Sequence, residues 1–253
     1  MRAGVSGIIV DWERAGKRER QARADTEINT HTLDDLRRVR QATDGLVLCR
    51  INHPHAGSPS EIESAIAAGA DELLVPMVRT AADVEFVLDR VRNRCRVGIL
   101  IETNEAVALA RELCALPLSR VYVGLNDLAI DRGASSIFQA VADKTVERVR
   151  AACSVPFGWG GLTLPEAGTP IPCRLLIGEM ARLDTSFSFL RRSFHRDVDG
   201  RNLEVEVPRL VAAIDAARAR HADAATHDRL ELEAAIDRQV RFSPLVAVAA
   251  QAV

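Results

Sequence analysis

Lysine is almost missing from this chain. Of 33 basic side chains in 253 residues, Lys17 and Lys144 are lysines and the rest are arginines. A Schiff base or any other amine-nucleophile chemistry therefore has two candidates. Lys17 sits in the charged run RAGKRER and Lys144 in the helical stretch VADKTVERVR, and neither ends an apolar strand. Covalent amine catalysis is not expected. An excess of one charge is also lacking: 33 basic against 35 acidic groups leave a net −2, which offers no pull toward nucleic acid or an anionic membrane. No apolar run reaches the 18 or so residues of a membrane span. The opening MRAGVSGIIVDW, with its short apolar run, is not expected to act as a signal peptide. The cysteines at 49, 95, 114, 153 and 173 are odd in number, scattered and without a CxxC pair. That pattern argues against a disulfide framework or a zinc ribbon and suits a reducing cytoplasm.

What is present is an ordinary globular composition, 47% apolar and 27% charged. Short, nearly continuous apolar runs alternate with amphipathic stretches, the pattern of a parallel sheet covered by helices. GIIVDW (7–12), LVLCRI (46–51), ELLVPMV (72–78), RVGILIE (96–102) and RVYVGL (120–125) read as strands, with VPFGWGG (155–161) and SFSFLRR (186–192) as weaker sixth and seventh. Their ends lie 25 to 39 residues apart, room for a strand, a loop and a helix. Thr32-x-x-Asp35, Ser58-Pro-Ser-Glu61 and Thr80-x-x-Asp83 resemble capping boxes, with Pro59 expected at the first helical position. Further helices are expected near 208–221, opened by Pro208, and over 227–240. GxGxxG and Walker fingerprints are missing. The reading is a TIM-type (β/α) barrel over 1–205, followed by C-terminal helices over 206–253.

Chemistry in such folds gathers at the carboxyl ends of strands. Those ends carry Asp11 and Glu13, Arg50 and Asn52, Glu102, then Asn126 and Asp127. Glu102 and Asp127 taken singly fit helix caps or partners of Arg50. Taken together, with further acids on a third strand, they suit a hard divalent cation, Mg2+ or Mn2+, with positions left for water and substrate. Arg50, with its fixed fork, suits the carboxylate or carbonyl of a 2-keto acid, or else a buried ion pair with Glu13 or Glu102.

The ordered pieces GIIVDWE, CRIN, AGADELLVPMVRTAADVE, ILIET and VYVGLNDLA, over roughly residues 5–130, resemble the HpcH/HpaI aldolase and citrate lyase beta family of the phosphoenolpyruvate/pyruvate barrel superfamily. The resemblance implies metal-dependent cleavage or formation of a C–C bond beside a pyruvate-like unit. It implies that Glu102 and Asp127 are metal ligands and that Asp11 and Glu13 hold metal-bound waters. Arg50 would touch the keto oxygen of pyruvate or oxaloacetate, and the backbone of Gly124, Asn126 and Asp127 would receive the substrate carboxylate. It also implies a homo-oligomer, trimer or hexamer, with C-terminal helices packed on or swapped with a neighbouring subunit. Three departures stand out. Arg14 occupies the position where the family's aldolases carry a proton-transferring histidine, and arginine is a poor general base. His53, His55 or a metal-bound water then become the candidates for that step. The usual first strand is not evident, and FSFLRRSFHRD brings Arg191, Arg192 and His195 where small residues are usual. The expected function is a divalent-metal-dependent lyase of the aldolase type. A citryl- or malyl-CoA-type lyase and a catalytically silent binding relative are the alternatives. His31, His221, His227, Trp12 and Trp159 read as structural.

Overall fold

The computed structural model describes residues 1–14 and 29–242. Lys17 and the apolar end of the chain from 243 onward lie outside the described residues. Six strands follow one another: β1 Gly7–Asp11, β2 Leu46–Arg50, β3 Glu72–Val75, β4 Arg96–Ile101, β5 Arg120–Val123 and β6 Phe157–Trp159. All pair in parallel in the order β1-β2-β3-β4-β5-β6, with Asp11 opposite Arg50, Ile101 opposite Val123 and Val123 opposite Trp159. They form a curled half-barrel with flanking helices, a TIM-type barrel lacking a strand.

Twelve helices complete the described residues. They are α1 Leu33–Ala42, α2 Ser58–Ala67, α3 Ala81–Val91, α4 Asn104–Ala108, α5 Ala110–Leu113, α6 Leu125–Arg132, α7 Gln139–Ala142, α8 Thr145–Ala152, α9 Cys173–Arg182, α10 Arg192–Asp197, α11 Leu203–Arg218 and α12 Ala222–Phe242.

Side chains alternate across each strand, and this sorts the sheet into two faces. Val47, Cys49, Leu73, Val75, Ile99, Ile101, Val121 and Val123 join one core with the surrounding helices. The alternate set, Leu48, Arg50, Glu72, Leu74, Leu100 and Tyr122, is also buried and includes the charged side chains. Glu72 is sealed at its strand's amino end, where Ser119 Oγ and Arg120 Nε donate to its Oε1 at 2.7 and 2.6 Å.

The expected seventh strand shrinks to one bridge, Phe187 with Gly158. A side chain stops the ladder: Ser188 Oγ donates to the Trp159 carbonyl at 2.8 Å. Phe187 and Phe189 stack with Tyr122 instead, with Tyr122 and Phe189 ring centroids 4.4 Å apart. Trp159 is fully buried, its Nε1 donating to Thr185 Oγ1.

The capping boxes at Thr32/Asp35 and Thr80/Asp83 both form. The one expected at Ser58 does not: Gly57 is the N-cap, Pro59 stands second in α2, and the Glu61 carboxylate accepts from Asn52 instead. The 208–221 helix starts earlier. Asn202 caps α11, accepting the Glu204 N–H at 2.9 Å, and Pro208 lies inside the helix. A strong cap outweighs the hydrogen bond Pro208 cannot make. The 227–240 helix lengthens at both ends into α12. One cysteine pair, Cys114 and Cys153, is brought together where α5 and α8 end side by side, with Cα atoms 5.2 Å apart. Sequence spacing could not reveal that proximity. Among the described residues no helix is long and apolar enough to cross a membrane.

Candidate active site

The ends of β1 and β2 meet at Arg50. Its side chain is 4% exposed, and it donates Nε to Asp11 Oδ1 at 2.8 Å and Nη2 to Asp11 Oδ2 at 2.6 Å. Nη1 lies 3.2 Å from Glu13 Oε2. The register explains the pairing, since Asp11 and Arg50 are direct neighbours across β1 and β2. A two-point guanidinium–carboxylate bond is strong and directional. Two of the five N–H groups of Arg50 are hydrogen-bonded, both to Asp11, and Nη1 faces Glu13 as an ion pair. The ion pair foreseen with Glu13 or Glu102 is thus made with Asp11 and Glu13.

Glu102 follows the last residue of β4 and is 1% exposed. Thr103, the next residue, caps α4 with its hydroxyl, so Glu102 is not a cap. Its Oε1 accepts the Met77 N–H at 2.9 Å. β3 ends at Val75, before Pro76, and Met77 turns its amide inward with a left-handed φ of 52°. Gly124 leaves space on the other side, since a Cβ there would lie 2.9 Å from Glu102 Cβ and overlap its carboxylate. Asp127 is not on a strand. It stands in the first turn of α6, 6% exposed, where the helix dipole favours an anion. No side chain caps α6, and Leu128 is the first residue whose N–H reaches a helix carbonyl, that of Gly124.

Burial, Asp127 and Glu13 together push the Glu102 carboxyl up to about 8, and Arg50 and the Met77 amide offset only part of this. Four buried carboxylates, Asp11, Glu13, Glu102 and Asp127, thus share one rim with one buried guanidinium. Among the described residues no three His, Cys, Asp or Glu side chains are gathered into a metal cage. The set fits instead a hard cation that takes two carboxylates and fills its other positions from water and substrate.

The family model for HpcH/HpaI aldolase/citrate lyase matches residues 1–156. The chain belongs to the HpcH/HpaI aldolase/citrate lyase family. No curated protein matches it by sequence. In fold it is similar to RipC from Yersinia pestis, with TM-score 0.54, 18% identity, and 87% of this chain and 92% of that one covered. It is also similar to a citrate lyase from Burkholderia xenovorans LB400, with TM-score 0.52, 16% identity, and 86% and 73% covered. The family is one of lyases and aldolases.

Arg14, at the family's histidine position, is exposed, and its Nη2 donates to the carbonyls of Thr30 and His31 at 2.9 and 2.7 Å. Asn52 ties the first two strand ends together. Its Oδ1 accepts the Arg14 N–H at 2.8 Å, and its Nδ2 donates to Glu61 at 2.6 Å. His53 is half-buried and its Nδ1 has no hydrogen-bond partner. His55 turns to its own loop, accepting the Gly57 N–H at 3.0 Å. Lys144 is exposed at the start of α8. His195 is exposed on α10, while Arg191 lies near enough to Tyr122 to lower its pKa. Burial outweighs that effect and raises the Tyr122 phenol to about 12.

Sequence reasoning missed His31, Asn29 and Met77. His31 Nδ1 accepts the Asp11 N–H at 3.1 Å, and Asn29 Nδ2 donates to Asp11 Oδ2 at 3.2 Å. The signal available for Met77 was the proline before it, which ends a strand. No sequence signal marks His31 or Asn29.

Proposed function

We propose that the protein is a divalent-metal-dependent lyase of the aldolase type acting on a 2-keto acid such as pyruvate or oxaloacetate. The observation that carries this reading is Glu102, a carboxyl sealed beside Asp127 and Glu13 and raised to about 8 by its burial first and by those acids second. A group so placed either keeps a proton at neutral pH or meets a cation. Glu102 and Asp127 would hold Mg2+ or Mn2+, with Asp11 and Glu13 beside them. Such an ion, when bound, stabilises negative charge developing on the keto oxygen.

The chain's own groups supply the rest. Arg50, held in place by Asp11, would offer its remaining N–H groups to an oxygen of the substrate. The uncapped start of α6, at Gly124, Asn126 and Asp127, suits the substrate carboxylate, because helix N-termini bind anions through their amides. When the C–C bond breaks, its electron pair stays with the carbon beside the keto group, and a proton must reach that carbon. His53, half-buried with an unpaired Nδ1, is our candidate to carry it. The exposed Leu203, Val205 and Val211 of α11 and Leu230 of α12 support extending the proposal to a homo-oligomer.

Incubation with oxaloacetate, with and without Mg2+ or Mn2+, tests the reading. Metal-dependent pyruvate release that is lost in Glu102→Ala and in Asp127→Ala supports it. Absence of turnover with either ion, or turnover that survives both substitutions, overturns it.

A further inference from the structure

Asp11 sits on a sheet edge. The Trp12 N–H donates to the Arg50 carbonyl at 2.8 Å, so the Trp12 amide faces β2. Successive residues of a parallel strand address opposite sides. The Asp11 N–H therefore faces outward, along the side of β1 that pairs with no strand among the described residues. A strand laid there would offer a carbonyl to it. His31 Nδ1 takes that place.

The whole segment 29–32 is fastened to residues 11–14. Asn29 Nδ2 donates to Asp11 Oδ2, Arg14 Nη2 donates to the carbonyls of Thr30 and His31, and Trp12 Nε1 donates to the Thr32 carbonyl at 3.0 Å. The far side of the segment is fixed by the Thr32/Asp35 capping box that starts α1. Because Nδ1 accepts, the ring proton of a neutral His31 sits on Nε2. Among the described residues, Asp11 is thus gripped from outside at its amide by His31 and at its carboxylate by Asn29. From inside it grips Arg50 at two points.

We infer that His31 and Asn29 are positioning residues for Arg50, acting through Asp11, with Arg14 as the strut that holds their segment in place. Arg14 thereby has a use unrelated to proton transfer. The clasp does for the end of β1 what a neighbouring strand does elsewhere in a barrel: it denies the Asp11 backbone freedom to shift. Arg50 inherits that rigidity, because both oxygens of its carboxylate partner have a second donor, Asn29 Nδ2 on Oδ2 and the Glu13 N–H on Oδ1 at 3.2 Å. The consequence for turnover rests on the function proposed above; the consequence for Arg50 does not.

The test uses the full chain labelled with 15N-arginine, with the Arg50 Nε–H resonance assigned by its loss in Arg50→Lys. Solvent exchange of that proton in the His31→Ala/Asn29→Ala double variant is expected to rise by about tenfold or more, as the anchored pair loosens. His31→Asn, whose Oδ1 can accept the Asp11 amide, is expected to restore slow exchange when Asn29 is kept. Unchanged exchange in a folded double variant overturns the inference. If the double variant does not fold, Asn29→Ala alone decides by the same readout, since it leaves the edge bond of His31 intact. With oxaloacetate and Mg2+, KM is expected to rise about tenfold in His31→Ala, with recovery in His31→Asn, because misplaced binding groups lose their orientation advantage. An unchanged KM in His31→Ala overturns the inference. A wild-type protein that turns over no keto acid sinks the proposed reaction, and the exchange measurement then judges the clasp by itself.

Discussion

The amide of Met77 points at Glu102 Oε1 across 2.9 Å, and Met77 reaches that position in a left-handed conformation. A non-glycine residue at φ 52° costs about 1–3 kcal/mol, and here the turn delivers a backbone donor to a buried acid. The donor is not enough. Burial and two neighbouring carboxylates still hold Glu102 far above the ordinary 4.5.

Metal-free protein should therefore lose stability as pH rises. With Glu102 near 8 when folded and 4.5 otherwise, the folded state binds a proton across that window that the unfolded chain does not. The stabilisation is full below the unfolded value and is lost as pH climbs through about 8. Thermal melts in chelator between pH 6 and 9 should show a falling Tm in the wild type and a flatter profile in Glu102→Gln. Parallel profiles would show that the carboxyl is not raised.

Divalent cation should reverse that trend. Binding to the folded state alone at 100 times Kd adds about 2.7 kcal/mol, a Tm rise of several degrees. Differential scanning calorimetry with Mg2+ or Mn2+ at pH 8 should show the rise in the wild type and not in Glu102→Ala or Asp127→Ala. Calorimetric titration should show proton release, read from buffers of different ionisation enthalpy.

Arg50→Ala should weaken the fold as well as substrate binding. Asp11 and Glu13 are 3% and 1% exposed, and removing one partner of a buried pair costs about 3–5 kcal/mol. Urea melts should report that loss. Arg50→Lys keeps the charge without the two-point geometry, so it should recover stability in part and kcat/KM hardly at all. Wild-type kcat/KM in Arg50→Lys would refute the directional role.

Gly124→Ala tests the space beside Glu102. The φ of −83° suits any residue, so the backbone tolerates alanine and the collision with the Glu102 side chain is the whole effect. Overpacking of this kind costs about 1–3 kcal/mol. The variant should fold with a lowered Tm and lose the Tm rise with Mg2+. A normal metal response would show that Glu102 has room to move.

Much of the site was readable before the fold because strand periodicity placed it. Apolar runs led to Asp11, Arg50, Glu102 and Asn126–Asp127, and four carboxylates do share one rim. The boundaries were less readable. Met77 and Asp127 look like strand ends in sequence, yet Pro76 stops β3 early and Asp127 falls in the first turn of α6. Ser58 has the side chain of a cap and loses the position to Gly57. Pro208 has the φ of a helix start, but Asn202 supplies the hydrogen bond that starts α11. Each case turns on one local bond that competes with a general preference.

The alternation of apolar runs and amphipathic stretches, with acids at the carboxyl ends of the runs, determined by itself the parallel α/β architecture and the acidic rim. Those are properties of periodicity, and periodicity is written locally. Tertiary structure alone decided that Arg50 pairs with Asp11, that Glu102 is raised by burial and by its neighbours, that Cys114 meets Cys153, and that His31 closes the edge of β1. Each of these depends on the tertiary arrangement of strands and helices, which brings together groups at least 20 residues apart whose mutual distance no local pattern encodes.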